Sequence, residues 1–125
     1  MKMKFCVLIA MLWSGTHAWA ETLTQAEYDV KINEYTQSIN QTKTILDQPE
    51  QQNDLKAQNL AFCERIRAYQ NILKISEDNP QLERSMLMQT VANMYLSRQI
   101  QSLTDSGMTQ QVFCTQATES TPAID

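Results

Sequence analysis

The chain has 125 residues, and ten Lys or Arg against 14 Asp or Glu give it a formal net charge of −4. Its length fits one small domain. An acidic chain without a basic cluster lacks the electrostatic footprint for nucleic acid and the polybasic patch for anionic lipid, which argues against both as partners.

The first 20 residues have the pattern of a cleaved signal peptide. Lys2 and Lys4 precede an apolar run over residues 5–13, and a small-x-small cleavage site ends at Ala20. The apolar run is shorter than the roughly 20 residues that a membrane span needs. We therefore expect residues 1–20 to be removed, the remainder to be periplasmic or secreted, and no membrane insertion after cleavage.

Cleavage would leave a chain with a net charge of −6, no histidine, and two cysteines, Cys63 and Cys114. An even number of cysteines in an exported chain is typical of a disulfide. Such a bond would stabilise the fold by about 4 kcal/mol by restricting the unfolded chain. The alternative, two thiols kept for metal or redox chemistry, lacks both a Cys-x-x-Cys arrangement and a histidine. The sequence predicts a Cys63–Cys114 disulfide and no metal site.

Helical periodicity recurs in three segments that prolines separate, which predicts an all-α fold. The first segment covers residues 25–47, where Thr24 and Glu27 fit a capping box, and Pro49 follows it. The second segment covers residues 54–76.

The third segment, residues 81–104, is the most apolar. Asn79 fits its N-cap and Pro80 its first turn, while Gly107 stands where a left-handed helix cap belongs. We expect this helix either to be the best buried of the three or to expose a face for a partner.

Short connections favour antiparallel neighbours, so the sequence predicts an elongated antiparallel three-helix bundle with one disulfide. Residues 21–114 would form this domain. Residues 108–114 would fold back along the second helix to reach Cys63. Residues 115–125 would form a flexible, disordered C-terminal tail.

The segment from Leu23 to Glu27 resembles the Leu-Thr-x-x-Gln motif of Spy-type periplasmic chaperones, with glutamate in place of the final glutamine. This resemblance implies a helical, exported and non-enzymatic protein. A capping box accounts for the same five residues, so the functional interpretation does not depend on the resemblance.

The residue types left after cleavage exclude several kinds of catalysis. Without a histidine there is no base for a Ser-His or Cys-His nucleophile, and a single glycine excludes a glycine-rich phosphate loop. Carboxylates such as Glu27 and Glu34 fit solvated helix surface. We therefore expect a non-enzymatic protein without a catalytic residue or cofactor.

We expect this protein to bind another protein, or a second copy of itself, through its helical faces. Met86, Met88, Met94 and Tyr95 on the third helix are the candidate partner-binding residues, because methionine makes adaptable binding surfaces and tyrosine anchors interfaces. An adaptor, inhibitor, immunity protein or secretion accessory fits these features. The alternatives are a general periplasmic holding chaperone and a small-ligand or metal carrier, for which Asn59 on an apolar stripe is the hint.

Overall fold

The computed structural model describes residue 20, residues 22–48 and residues 54–119. Residues 1–19 of the predicted signal peptide and the last six residues of the predicted tail lie outside these described residues. All regular structure within them is helical, as predicted, but it comprises four helices rather than three: α1 (Gln25–Leu46), α2 (Leu55–Asp78), α3 (Ser85–Asp105) and α4 (Gln110–Glu119).

The predicted capping box starts α1. The Thr24 hydroxyl accepts a hydrogen bond from the Glu27 N–H at 3.3 Å, and the Thr24 N–H donates to the Glu27 carboxylate at 2.8 Å. The Thr24 hydroxyl also donates to the Glu27 carboxylate at 2.9 Å, and the two donations to this carboxylate, first from the Thr24 backbone and then from its side chain, hold the pKa of Glu27 below its ordinary value. The start of α1 is therefore specified by neighbouring residues alone.

The central element is α2, because it makes the extensive contacts with each of the other three helices. Its N-cap is Asp54, whose carboxylate accepts hydrogen bonds from the N–H groups of Lys56 and Ala57. It contributes seven buried residues, compared with four each from α1 and α3. The best-buried helix is thus the second one, and α3 lies at its side.

Asn79 does not begin the third helix as predicted; it ends α2. Its side-chain NH2 group donates to the Ile75 carbonyl oxygen at 2.8 Å, and its side-chain oxygen Oδ1 accepts from the Leu23 N–H at 2.8 Å. Residues 80–84 form a turn, and α3 starts at Ser85. The Asn79 side chain joins the end of α2 to the residue just ahead of the α1 cap, so it is not available to cap α3.

The residue before α3, Arg84, has a left-handed backbone with φ of 68° and no side-chain capping hydrogen bond. This conformation costs an L-residue about 1–2 kcal/mol, and glycine adopts it freely. The Arg84 carbonyl oxygen accepts the first helical hydrogen bond, from the Met88 N–H at 2.9 Å.

The predicted left-handed cap is present at Gly107, where φ is 75°. Its N–H donates to Thr104 and the N–H of Met108 donates to Leu103, both at 2.9 Å, which is the Schellman arrangement. Met108 also packs against the cluster that contains Leu103. This cap ends α3 and reverses the chain toward α2.

The helix α4 corrects the prediction for the end of the chain. It contains most of the segment 108–114 that is expected to fold back along the second helix, and it continues through residues 115–119, which the sequence predicts to belong to the flexible tail. The predicted disulfide is present, with the Cα atoms of Cys63 and Cys114 5.7 Å apart. The Phe62 and Phe113 rings also meet edge to face at 5.5 Å, so α4 is held on α2 by a covalent bond and an aromatic contact.

Within the described ranges, no helix has the combination of length and apolar character that crossing a bilayer requires.

Candidate functional site

One face of α3 carries four exposed apolar side chains, which we call the apolar face. The exposed fractions are 75% for Met86, 59% for Leu87, 40% for Val91 and 54% for Met94. The opposite side of α3 packs on α2 through buried residues that include Ala92 and Leu96. Because α2 is the only described helix against which α3 packs extensively, nothing in the described structure covers the outer side.

The spacing of three of these residues makes them one continuous row, with Met86 about 100° around the helix from Leu87. Leu87, Val91 and Met94 recur at steps of four and three, which places them on one side of a helix within about 10 Å. Met86 lies beside this row, one residue before Leu87. An apolar row of this period is the pattern by which one helix packs against another.

The apolar face lies in an uncharged stretch of helix. Thirteen consecutive residues, 85–97, carry no charged side chain, and Arg84 and Arg98 bound this stretch. Both arginines are exposed, and neither side chain forms a hydrogen bond or ion pair with the described part of the chain. The charged residue nearest each end of this neutral surface is therefore an arginine, with the exposed Glu83 and Asp105 farther out.

The four candidate residues predicted from the sequence divide between the two sides of α3. Met86 and Met94 belong to the apolar face, whereas Met88 and Tyr95 are partly buried and pack against the core clusters. Sequence reasoning missed Leu87 and Val91. The signal that could have found them is the Leu87-Val91-Met94 spacing, which separates this row from the row of Met88 and Tyr95.

Tyr95 fixes the inner side of α3 to α2. Its ring stacks on Tyr69 with centroids 4.0 Å apart and planes 23° apart, and the Arg65 guanidinium lies 5.5 Å from the Tyr95 centroid. Burial raises the pKa of Tyr95 above its ordinary value, the positive charge of Arg65 opposes this, and Tyr69 adds to it. Tyr95 therefore acts as a packing residue in the monomer.

A buried polar network fixes the first turn of α3. The Ser85 hydroxyl donates to the Ser76 carbonyl oxygen at 2.6 Å, and the Gln89 amide donates to the same oxygen at 3.0 Å. The Ser76 hydroxyl in turn shares a 2.7 Å hydrogen bond with the Tyr28 hydroxyl of α1. The apolar face consequently lies on a helix whose inner side is fixed at its start and at its middle.

A second surface feature is a groove of about 520 Å³ beside the disulfide, with α2 as its floor and α1 and α4 as its walls. Its lining includes Tyr35, Ser38, Glu64, Arg67, Asn71 and Cys114. Asn59 is the polar residue that hinted at a ligand cavity in the sequence, and it does not line this groove. Within the described residues, no cluster of three or more His, Cys, Asp or Glu could hold a metal ion.

Comparison of the chain with protein-family models, with curated proteins and with solved structures finds no significant match. The chemistry of the described surface is therefore the basis for proposing a function.

Proposed function

We propose that this chain is an exported, non-enzymatic interaction module that binds another protein through the apolar face of α3. An elongated antiparallel bundle on α2, fastened by the disulfide, would present this face to the partner. The observation that carries the proposal is the exposure of Met86, Leu87, Val91 and Met94 together on one helix. Contiguous exposed apolar surface is characteristic of interaction sites, whereas single exposed apolar residues are ordinary.

Burial of the apolar face would supply part of the free energy of binding. Full burial of one such side chain contributes about 1.5–3 kcal/mol. Four of them provide an interface core, from which the entropy lost on association must be subtracted. The two methionines can adjust their rotamers to the partner surface, and Leu87 and Val91 give a more rigid contact.

Two further features support an exported protein without catalysis. A Cys63–Cys114 disulfide is typical of an oxidising compartment, which agrees with the predicted signal peptide. The residue types outside that predicted signal peptide include neither a histidine base nor a glycine-rich loop. A binding role requires neither of them.

The experiment is affinity capture of the oxidised protein after cross-linking in its source organism, with the captured proteins identified by mass spectrometry. A double variant, Leu87→Glu with Met94→Glu, places two carboxylates on the apolar face. We expect the wild type to retain one dominant partner and the variant to retain less than a tenth of it. The free energy of unfolding should change by less than about 1 kcal/mol, because both sites are exposed.

The matched control is Val30→Glu with Leu55→Glu, which changes exposed apolar residues of α1 and α2 in the same way. It should retain the partner. Loss of the partner in the control, or its full retention by the α3 variant, would contradict the proposal. Capture of many unrelated exported proteins would indicate a general holding chaperone.

A small-ligand carrier is the second candidate, because the groove beside the disulfide has both apolar and charged lining residues. Native mass spectrometry of the protein isolated from its source organism tests this function. A retained non-covalent mass that Ser38→Trp in the groove wall eliminates would support the carrier. A clean mass for the protein alone would argue against it.

A further inference from the structure

We propose that the element recognised by the apolar face is an amphipathic helix of another protein, with carboxylates on both ends of its apolar row. This inference rests on the proposed function and specifies the chemistry of the partner. Its basis is the contrast between the acidic charge of the whole chain and the local charge around α3.

Arg84 and Arg98 are 14 residues apart, which corresponds to two heptads and about 21 Å along α3. Arg98 continues the row of Leu87, Val91 and Met94 at the next step of four. A helix lying along this row would bury its own apolar residues at the centre and meet a guanidinium near each end.

The chain as a whole has a net charge of −4, and the stretch between the two arginines has none. Both guanidiniums are free of partners within the described structure. Carboxylates are therefore the groups that this surface attracts, and arginine can hold a carboxylate through two parallel hydrogen bonds.

The backbone of Arg84 is left-handed. Its φ of 68° is a conformation for which glycine is the preferred residue, and the same chain has Gly107 at a φ of 75°. An arginine in this strained position is not explained by capping, because its side chain makes no capping hydrogen bond. A guanidinium needed for recognition gives a reason for the residue type at this site.

A second copy of the chain is a poorer fit to this surface. In a parallel pairing of two α3 helices, each arginine would face its own counterpart. In an antiparallel pairing about the middle of residues 84–98, Arg84 would lie near the Arg98 of the other copy. Either orientation sets like charges at both ends of the contact, which disfavours the pair.

The test uses two designed helical peptides as probes. Both carry leucines at steps of four and three, and they differ only in having two glutamates or two lysines, 14 residues apart, at the ends of the row. Fluorescence anisotropy at low salt measures binding to the oxidised protein. We expect the glutamate peptide to bind at least tenfold more tightly, with a difference that decreases as salt screens the charges.

The double variant Arg84→Glu with Arg98→Glu should reverse the preference of the protein for the two peptides. The control Arg67→Glu, which changes an exposed arginine of α2 by the same charge, should leave the preference intact. Equal binding of the two peptides by the wild-type protein, or an unchanged preference in the double variant, would overturn the inference.

The variant Arg84→Gly separates binding from stability. Glycine relaxes the left-handed backbone, so we expect no decrease in the thermal unfolding midpoint. The missing guanidinium should weaken binding of the glutamate peptide several-fold while leaving the lysine peptide no weaker. Unchanged affinity for the glutamate peptide would argue against a recognition role for Arg84.

The capture experiment distinguishes this inference from the proposed function. If neither peptide binds but the Leu87→Glu, Met94→Glu variant still loses its captured partner, the apolar face binds a protein of different chemistry and the inference fails. A homodimer in size-exclusion chromatography that the same variant dissociates would assign the face to a second copy, which also overturns the inference.

Discussion

Asn79 shows how one buried side chain joins the ends of two helices. It is fully buried, and its amide holds the last turn of α2 through Ile75 while it accepts the N–H of Leu23 ahead of α1. The hydrogen bond from Leu23 connects residues 56 positions apart in the chain. The start of α1 is therefore fixed on the end of α2 by a side chain that water does not reach.

The variant Asn79→Ala should lower the free energy of unfolding by about 2–3 kcal/mol, because it leaves the buried Leu23 N–H without an acceptor. Chemical denaturation measures the loss. Hydrogen exchange should become faster over the first turns of α1 before it does so in the middle of α2.

The control for this variant is Asn40→Ala, at an exposed position in α1 with the same residue type. It should change stability by less than about 0.5 kcal/mol. A similar small effect for Asn79→Ala would contradict the role assigned to that side chain.

At the residue scale, signals that depend on nearby residues could be predicted from the sequence. The capping box of Thr24 and Glu27 and the left-handed Gly107 are both completed within a few residues. Asn79 followed by Pro80 has an equally clear local signal for a helix start. That signal was misleading because the side-chain oxygen of Asn79, which would have capped the helix, accepts a hydrogen bond from the distant Leu23 N–H.

At the element scale, α4 depends on α2 for its existence. A helix of ten residues is marginal by itself, and α4 contains several threonines and glutamines in place of an apolar stripe. Its contacts with α2 include the disulfide, the Phe62–Phe113 pair and hydrogen bonds between Gln70 and Gln110. Tertiary contacts with α2 stabilise α4 as a helix, which is why the periodicity of the sequence did not predict it.

Removal of the disulfide by Cys63→Ala with Cys114→Ala should lower the free energy of unfolding by up to about 4 kcal/mol. The amide hydrogens of α4 should then exchange earlier than those of α1–α3. Urea denaturation and hydrogen exchange of the same samples provide both measurements.

The control for the disulfide variant is Val112→Ala, which removes an exposed apolar side chain from α4 and leaves the bond intact. It should alter stability by less than about 0.5 kcal/mol. Unchanged protection of α4 after loss of the disulfide would show that noncovalent contacts alone hold this helix.

At the scale of the whole molecule, the arrangement around α2 determines which surface is available. The other helices use α2 as their shared packing surface, so the apolar residues of α3 exceed what that one contact can bury. The sequence indicated this excess but did not show which residues would face outward. That outcome depends on the rotation of α3, which Tyr95 and Ser85 set through contacts with α2.

The most direct test of the account replaces Leu87 with the photo-reactive residue p-benzoylphenylalanine and irradiates the protein in its source organism. Val112, an exposed apolar residue of α4, is the matched control position. We predict a discrete cross-linked product to another protein from position 87 and none from position 112. Cross-linking to a discrete partner from position 112 but not from position 87 would contradict the assignment of recognition to α3.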